Sequence, residues 1–418
     1  MKLSKEFVYF SLIFLASLVA LFKTGLVAYV LTPENFGYFT LFLVITGYFQ
    51  YSQLGILNGL GRELPISYGK ESIKHSLELV GVTFNALLVS QFFFLVICTL
   101  IVSFLSFEDN QIYLVILLSL ISSVISNFYN LSMLRLRSEL RLVEYSVVNF
   151  IVVVLGLCLT VYLAYKMGYL GAIIGTIISF LLGFIYTNVF ILDRPILKAK
   201  KILYKAKNLM MIGSPLLLSG FIQTSLFSMD KIILSNIYAI AEFGIYAFSS
   251  IPLTMGIVLS GILATYFTPK ILHKFGSDDD LFQAYKNSRN ISLLVIIFGI
   301  IFYPVYYLII SFALENFFPD YIEGKELMVV FYIPALFISA NLFGPFLVAA
   351  KKFTFIVYYE LSLFILVGII YGFILYENLG MIYFPSALAA ISICGFIFLF
   401  FYSRRLAYNI LTSERRKL

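Results

Sequence analysis

Ser225–Phe248 reads SLFSMDKIILSNIYAIAEFGIYAF. Asp230 and Lys231 stand side by side in an otherwise apolar run, and the run closes on A-E-F-G-I-Y-A-F. Near the start of the chain, Pro33–Leu41 reads P-E-N-F-G-Y-F-T-L. Its Gly37 lies 207 positions before Gly244, close to half of the 418 residues. A segment that recurs at half the chain length points to two related halves. Each half opens with a long apolar helix that meets an F-G turn.

Composition decides what surrounds those helices. The chain is 61% hydrophobic and 12% charged, with a mean hydropathy of +0.97. Soluble domains are about 25% charged, so lipid is the solvent here. Apolar segments fall at 7–31, 36–61, 77–105, 111–134, 143–165, 169–192, 208–236, 243–268, 290–313, 326–350, 354–376 and 380–402. Each suits a helix crossing a hydrocarbon core of ~30 Å, and the strict alternation of membrane strands is absent. The first segment begins like a signal peptide, MKLSKEFVYFSLIFL. It continues past Lys23 to Leu31 without a small-residue cleavage site and reads as a retained helix. Cys98, Cys158 and Cys394 lie in apolar runs, and His75 and His273 stand alone, so neither a disulfide framework nor metal-ligand spacing is present.

Basic residues give the orientation. With twelve spans, 25 of the 29 lysines and arginines fall on the side of the two termini, and only Lys166 and Lys325 fall opposite. Lys23 and Lys231 lie within spans. This asymmetry makes both termini cytoplasmic. It also accounts for the net charge of +7 without nucleic-acid binding. The sequence divides into a bundle over 1–198, a basic amphipathic linker over 199–207 on the cytoplasmic face, and a second bundle over 208–418. The wider stretch Asp193–Lys207 suits attachment to an anionic inner leaflet. Trp is absent, so tyrosines such as Tyr38, Tyr113, Tyr165, Tyr169, Tyr376 and Tyr383 supply the interfacial belt. Pro215, Pro252, Pro304, Pro334, Pro345 and Pro385 fall within or near second-half spans, where they would bend helices.

An ionisable side chain inside a span costs at least about 2.5–3.5 kcal/mol on insertion and calls for a function. Lys23 and Asp230 each stand 14 positions before their F-G glycine, at matching depth, with opposite charge. They are candidates for a cross-lobe ion pair that shuts the outer side. Polar stripes extend the lumen: Ser219, Gln223 and Asp230; Thr46, Gln50 and Gln53, with Arg62 beyond; and Ser119, Ser123, Ser126 and Asn130, leading to Arg137. Asn341 lies between two prolines. Side chains at these spacings share one helix face. The candidate lumen set is Lys23, Asp230, Lys231, Gln50, Gln53, Gln223 and Asn341, with Arg62 and Arg137 at the cytoplasmic entrance. The longest outer connection, near Leu314–Lys325, is short and acidic and suits no polymerase or ligase chemistry.

Together, L-T-P-E-N-F-G-Y-F-T-L and P-L-L-L-S…S-M-D-K-I-I-L-S…A-E-F-G-I-Y-A-F resemble the polysaccharide-exporter branch of the MOP superfamily. More narrowly, they resemble the Wzx-type flippases of O-antigen or capsule repeat units. The resemblance implies an all-α integral membrane protein with a MATE-like fold. Two pseudo-symmetric six-helix bundles would face each other, N-in and C-in, in a bacterial inner membrane. It implies alternating-access flipping of a polyprenyl-pyrophosphate-linked oligosaccharide, with no enzymatic step and no cofactor. Coupling to a H+ or Na+ gradient would run through Asp230. Membrane lipids, a polysaccharide polymerase and chain-length machinery are the implied partners. Lys23 and Lys231 would contact phosphate or a sugar acid. This lumen is sparsely charged and uses Lys where bidentate phosphate recognition favours Arg. The alternative is an ion-coupled multidrug exporter of the same fold.

Overall fold

The computed structural model describes residues 5–69, 73–104, 110–192, 202–263, 281–350 and 352–415, and among these no strand occurs. Two compact units form, Met1–Gly244 and Ile245–Leu418. The first contains α1 (Lys5–Val30), α2 (Pro33–Phe49), α3 (Ile56–Gly69), α4 (Ile73–Phe104), α5 (Asn110–Ser138), α6 (Leu142–Tyr186) and α7 (Ile202–Ile237). The start of α8 (Ile240–Ser249) completes it. The second contains α9, described over 251–263, then α10 (Leu281–Phe317), α11 (Lys325–Ala340), α12 (Gly344–Ala349), α13 (Phe353–Tyr376) and α14 (Tyr383–Arg415). Linker residues 193–201 lie outside the described residues.

Ten described segments are long and apolar enough to cross a membrane. Two further crossings are concealed, which brings the count to the twelve expected. Leu142–Ile191 runs 50 residues and holds two crossings, parted at Gly168 (φ 62°, ψ −142°). Glycine takes that backbone conformation without a Cβ clash. The second crossing, in contrast, is broken. α2 gives way to a 3₁₀ turn at Gln50–Gln53, then left-handed Leu54 (φ 53°) and Gly55 (φ 80°), before α3 begins.

The F-G pairs sit differently from the expected turns. The chain turns earlier, at Leu31–Thr32 and Tyr238–Ala239, and each F-G pair lies in the first helical turns that follow. Pro33 opens α2, and the Thr32 hydroxyl accepts the Asn35 amide hydrogen at 3.4 Å. Proline lacks the amide that a first helical position cannot pair, and a threonine oxygen replaces a missing backbone acceptor. The glycines serve close approach rather than turning. A Cβ on Gly244 would collide with the Pro33 carbonyl, and one on Gly37 with the Ile240 carbonyl. The two copies of the repeat therefore touch backbone to backbone.

A second glycine crossing holds α7 to α3. A Cβ on Gly213 would strike the Gly55 carbonyl, and one on Gly59 the Leu209 carbonyl. Small residues let helices approach and gain van der Waals contact where lipid supplies no hydrophobic drive. Val82 on α4 packs with Ala206 and Leu209 on α7, and Lys205 pairs with Glu78 at 2.7 Å. The repeat assigns α7 to the second half, whereas its contacts are with α2, α3 and α4. Contact and repeat thus divide the chain at different points.

The second unit has its own core around Tyr285, Phe343, Phe346, Phe396 and Leu399. Its lipid face is visible on α10, where Phe298, Leu308 and Phe312 are 69%, 67% and 61% exposed. Of the six second-half prolines, Pro215, Pro304 and Pro334 lie inside helices. Pro252, Pro345 and Pro385 stand in first turns, where no backbone bond is lost.

Candidate functional site

The broken second crossing borders a cavity in the first unit of about 680 Å³. Gln50, Tyr51 and Gln53 line it from the 3₁₀ turn, and Leu57, Asn58, Gly61 and Arg62 from α3. α5 contributes Asn127, Asn130, Met133, Leu134 and Arg137, while Tyr145 and Leu216 come from α6 and α7. None of these lining residues is acidic.

The break creates this polar wall. Where helical backbone bonds end, side chains take over. Gln53 Oε1 accepts the Leu57 amide hydrogen at 2.8 Å, and Gln53 Nε2 donates to Asn58 Oδ1 at 2.5 Å. Ser52 Oγ donates to Gln91 Oε1 at 3.1 Å and accepts from Asn127 Nδ2 at 3.3 Å. Gln50 Nε2 donates to Ser126 Oγ at 3.4 Å. An unpaired buried amide is costly, so the bends that break a helix draw polar side chains to themselves.

Arg62 and Arg137 are exposed, and neither forms an ion pair among the described residues. The acid nearest in sequence to Arg137 is already committed. Glu139 pairs with Arg135 at 2.7 Å and Arg141 at 3.4 Å, and accepts the Tyr68 hydroxyl hydrogen at 2.7 Å. Arg141 also reaches Glu144, and that hydrogen bond raises its guanidinium above the ordinary value. Among the described residues no acid pairs with Arg137, which lines the cavity. The arrangement can take an anion against two guanidiniums, with carboxamides and two tyrosines for hydroxyl groups and ring faces.

The structure gathers Gln50, Gln53, Arg62 and Arg137 at one site, and Asn130 joins them at the end of its stripe. The serines of that stripe turn inward instead. Ser123 and Ser126 donate to the carbonyls of Leu120 and Ser123, and Ser119 to those of Val115 and Phe42. Of these, only Ser119 bonds α2, while Ser126 Oγ accepts from Gln50. Lys23, Gln223, Asp230, Lys231 and Asn341 are absent from the lining. Lys23 lies against α6, where a Cβ on Gly156 would come within 3.8 Å of its Nζ. Asp230 is 2% exposed. Lys231 is half-buried and Gln223 exposed. Asn341 ends α11 in the second unit. The sequence reading missed Tyr51, Asn58, Asn127 and Tyr145. Asn58 was detectable, since it stands three residues past Gly55, where a helix restarts.

A family described as "Polysaccharide biosynthesis protein" matches residues 26–323. No curated protein matches the chain. Solved structures share the fold. The structure of the Lipid II flippase MurJ in an inward closed conformation has a TM-score of 0.73 at 16% identity, covering 94% of this chain and 87% of that chain. An inward-facing multidrug resistance MATE family transporter of the MOP superfamily has a TM-score of 0.71 at 16% identity, covering 95% and 96%. MATE in complex with MaL6 follows, with a TM-score of 0.65 at 16% identity and coverage of 96% and 95%. At these identities the likeness establishes the fold.

Proposed function

The chain belongs to the polysaccharide biosynthesis protein family, and from that premise we propose that it is a flippase. Its cargo is a polyprenyl-diphosphate-linked oligosaccharide repeat unit of a surface polysaccharide such as O-antigen or capsule. It moves the glycan from the cytoplasmic to the outer leaflet of a bacterial inner membrane by alternating access, with both termini in the cytoplasm. The observation that carries this reading is the cavity, whose described lining holds two arginines without an ion pair among the described residues, five carboxamide side chains and no acid. A diphosphate is a strong partner for paired guanidiniums, and sugar hydroxyls both donate to and accept from amides. A cation cargo would call for acidic lining residues, and none of the described residues lining this cavity is acidic.

No covalent step is involved. The protein shields a polar headgroup while the polyprenyl tail stays in lipid. The decisive test is a deletion strain complemented with wild type, Arg62→Gln, Arg137→Gln or the double variant. Surface glycan and inner-leaflet lipid-linked repeat unit are quantified together. Each single variant should lower display at least tenfold and raise the intermediate. Normal glycan display in the deletion strain overturns the flippase reading. Normal display in the double variant overturns the assignment of the site.

A further inference from the structure

We propose that Gln53 is a positioning residue that links occupancy of the cavity to the break in the second crossing. The inference rests on the reading that the cavity takes a hydroxyl-rich anion. The two ends of the Gln53 carboxamide do different things. Its Oε1 accepts the Leu57 amide hydrogen at 2.8 Å, in the first turn of α3, where no helical carbonyl is available. Its Nε2 donates to Asn58 Oδ1 at 2.5 Å, and Gln53 and Asn58 both line the cavity.

The amide group is planar and rigid, so one end cannot swing without moving the other. Gln53 is 7% exposed, which leaves it little room to adopt another rotamer. An occupant that offers a hydroxyl to Asn58 competes directly with Gln53 Nε2. The same displacement withdraws the cap from the Leu57 amide. Other bonds at the break do not involve the Leu57 amide. Leu54 donates to the Tyr51 carbonyl at 3.1 Å, and Gly59 to the Gly55 carbonyl at 2.9 Å. Leu54 itself is held in the left-handed region, an unfavourable conformation for a residue with a Cβ. The neighbouring bonds from Gln50 to Ser126 and from Asn127 to Ser52 join cavity-lining residues to the same turn. The local geometry of the break therefore depends on what the cavity residues are bonded to.

The test is hydrogen exchange on the full-length protein in lipid nanodiscs, read over peptides spanning residues 50–61. Four forms are compared: wild type, Gln53→Leu, Gln53→Glu and Asn58→Ala. Gln53→Leu removes both bonds and should speed exchange at the Leu57 amide about tenfold. Gln53→Glu keeps the acceptor and should preserve protection there. Asn58→Ala leaves the capping atoms untouched, and linkage predicts that it still speeds exchange at Leu57 severalfold. Unchanged Leu57 exchange in Asn58→Ala, with intact protein by thermal unfolding, overturns the proposal. A second arm adds uridine diphosphate N-acetylglucosamine as a soluble probe of sugar-diphosphate chemistry. In wild type it should alter exchange around both Arg62 and Leu57, and in Asn58→Ala around Arg62 alone. A change at Arg62 without one at Leu57 in wild type also overturns the proposal. A change at neither site speaks against the proposed occupant, and the Asn58→Ala comparison still decides the linkage.

Discussion

Arg135 and Arg137 stand two residues apart on α5 and meet opposite surroundings. Arg135 is 3% exposed and pairs with Glu139 at 2.7 Å, while Arg137 is exposed, lines the cavity and has no ion pair among the described residues. Helix geometry explains the difference. Glu139 lies four residues from Arg135, on its face, and two from Arg137, on another. Glu139→Gln should destabilise the protein by about 3–5 kcal/mol, because a buried guanidinium loses its carboxylate. Arg137→Gln should leave stability unchanged and affect transport alone. Thermal midpoints of the purified variants in detergent check both, and a lowered midpoint for Arg137→Gln would contradict its assignment to the cavity. The sequence shows Arg135, Arg137 and Arg141 as one cytoplasmic basic cluster. Which of them keeps a free charge depends on the turn at Leu140 (φ 56°), which folds Arg141 back onto Glu139. That turn has no glycine to announce it.

At the scale of elements, apolar content located the crossings and concealed their breaks. Residues 36–61 read as one span because lipid-compatible side chains continue through Leu54 and Gly55. Hydropathy registers no change in backbone conformation, so the 3₁₀ turn went unseen, although Gln50 and Gln53 of its polar wall stood out as a polar stripe. Gly55 gave a local signal, but its meaning comes from α7. Gly55, Gly59 and Gly213 form a crossing in which backbones touch, which no single helix reveals. Gly213→Ala would place a methyl group on the Gly55 carbonyl and should cost about 1–3 kcal/mol as overpacking. Gly25→Ala is the matched control, since a Cβ there meets nothing within 4 Å. It should be neutral, or stabilise α1 by about 0.5–1 kcal/mol through helix propensity. Thermal unfolding of the two variants side by side separates a crossing made of contact from one that merely tolerates small residues. Equal midpoints would show that α3 and α7 can part without loss.

For the whole molecule, orientation follows from the number of crossings. The division of 25 basic residues on one face against two on the other holds only if every crossing is counted. The two that length and apolarity alone miss are the ones that keep the loops in step. Gly168 parts the long α6, so that Lys166 falls opposite Arg141. The broken crossing sets Arg62 and its neighbours opposite Glu34. Had either gone uncounted, all later loops would exchange sides, and the basic residues before it would fall opposite those after it. Both termini should therefore be cytoplasmic by the positive-inside rule. Alkaline phosphatase, which is active only outside the cytoplasm, should be inactive when fused after Leu418. It should be active when inserted after Asn378, in the turn between α13 and α14. The reverse pattern would place the basic face outside and, with it, Arg62 and Arg137. The cavity would then open first to the wrong leaflet for a cargo assembled inside the cell. Activity at both positions would mean that α14 does not cross, and the pairing of halves first suggested by the two F-G motifs would fail.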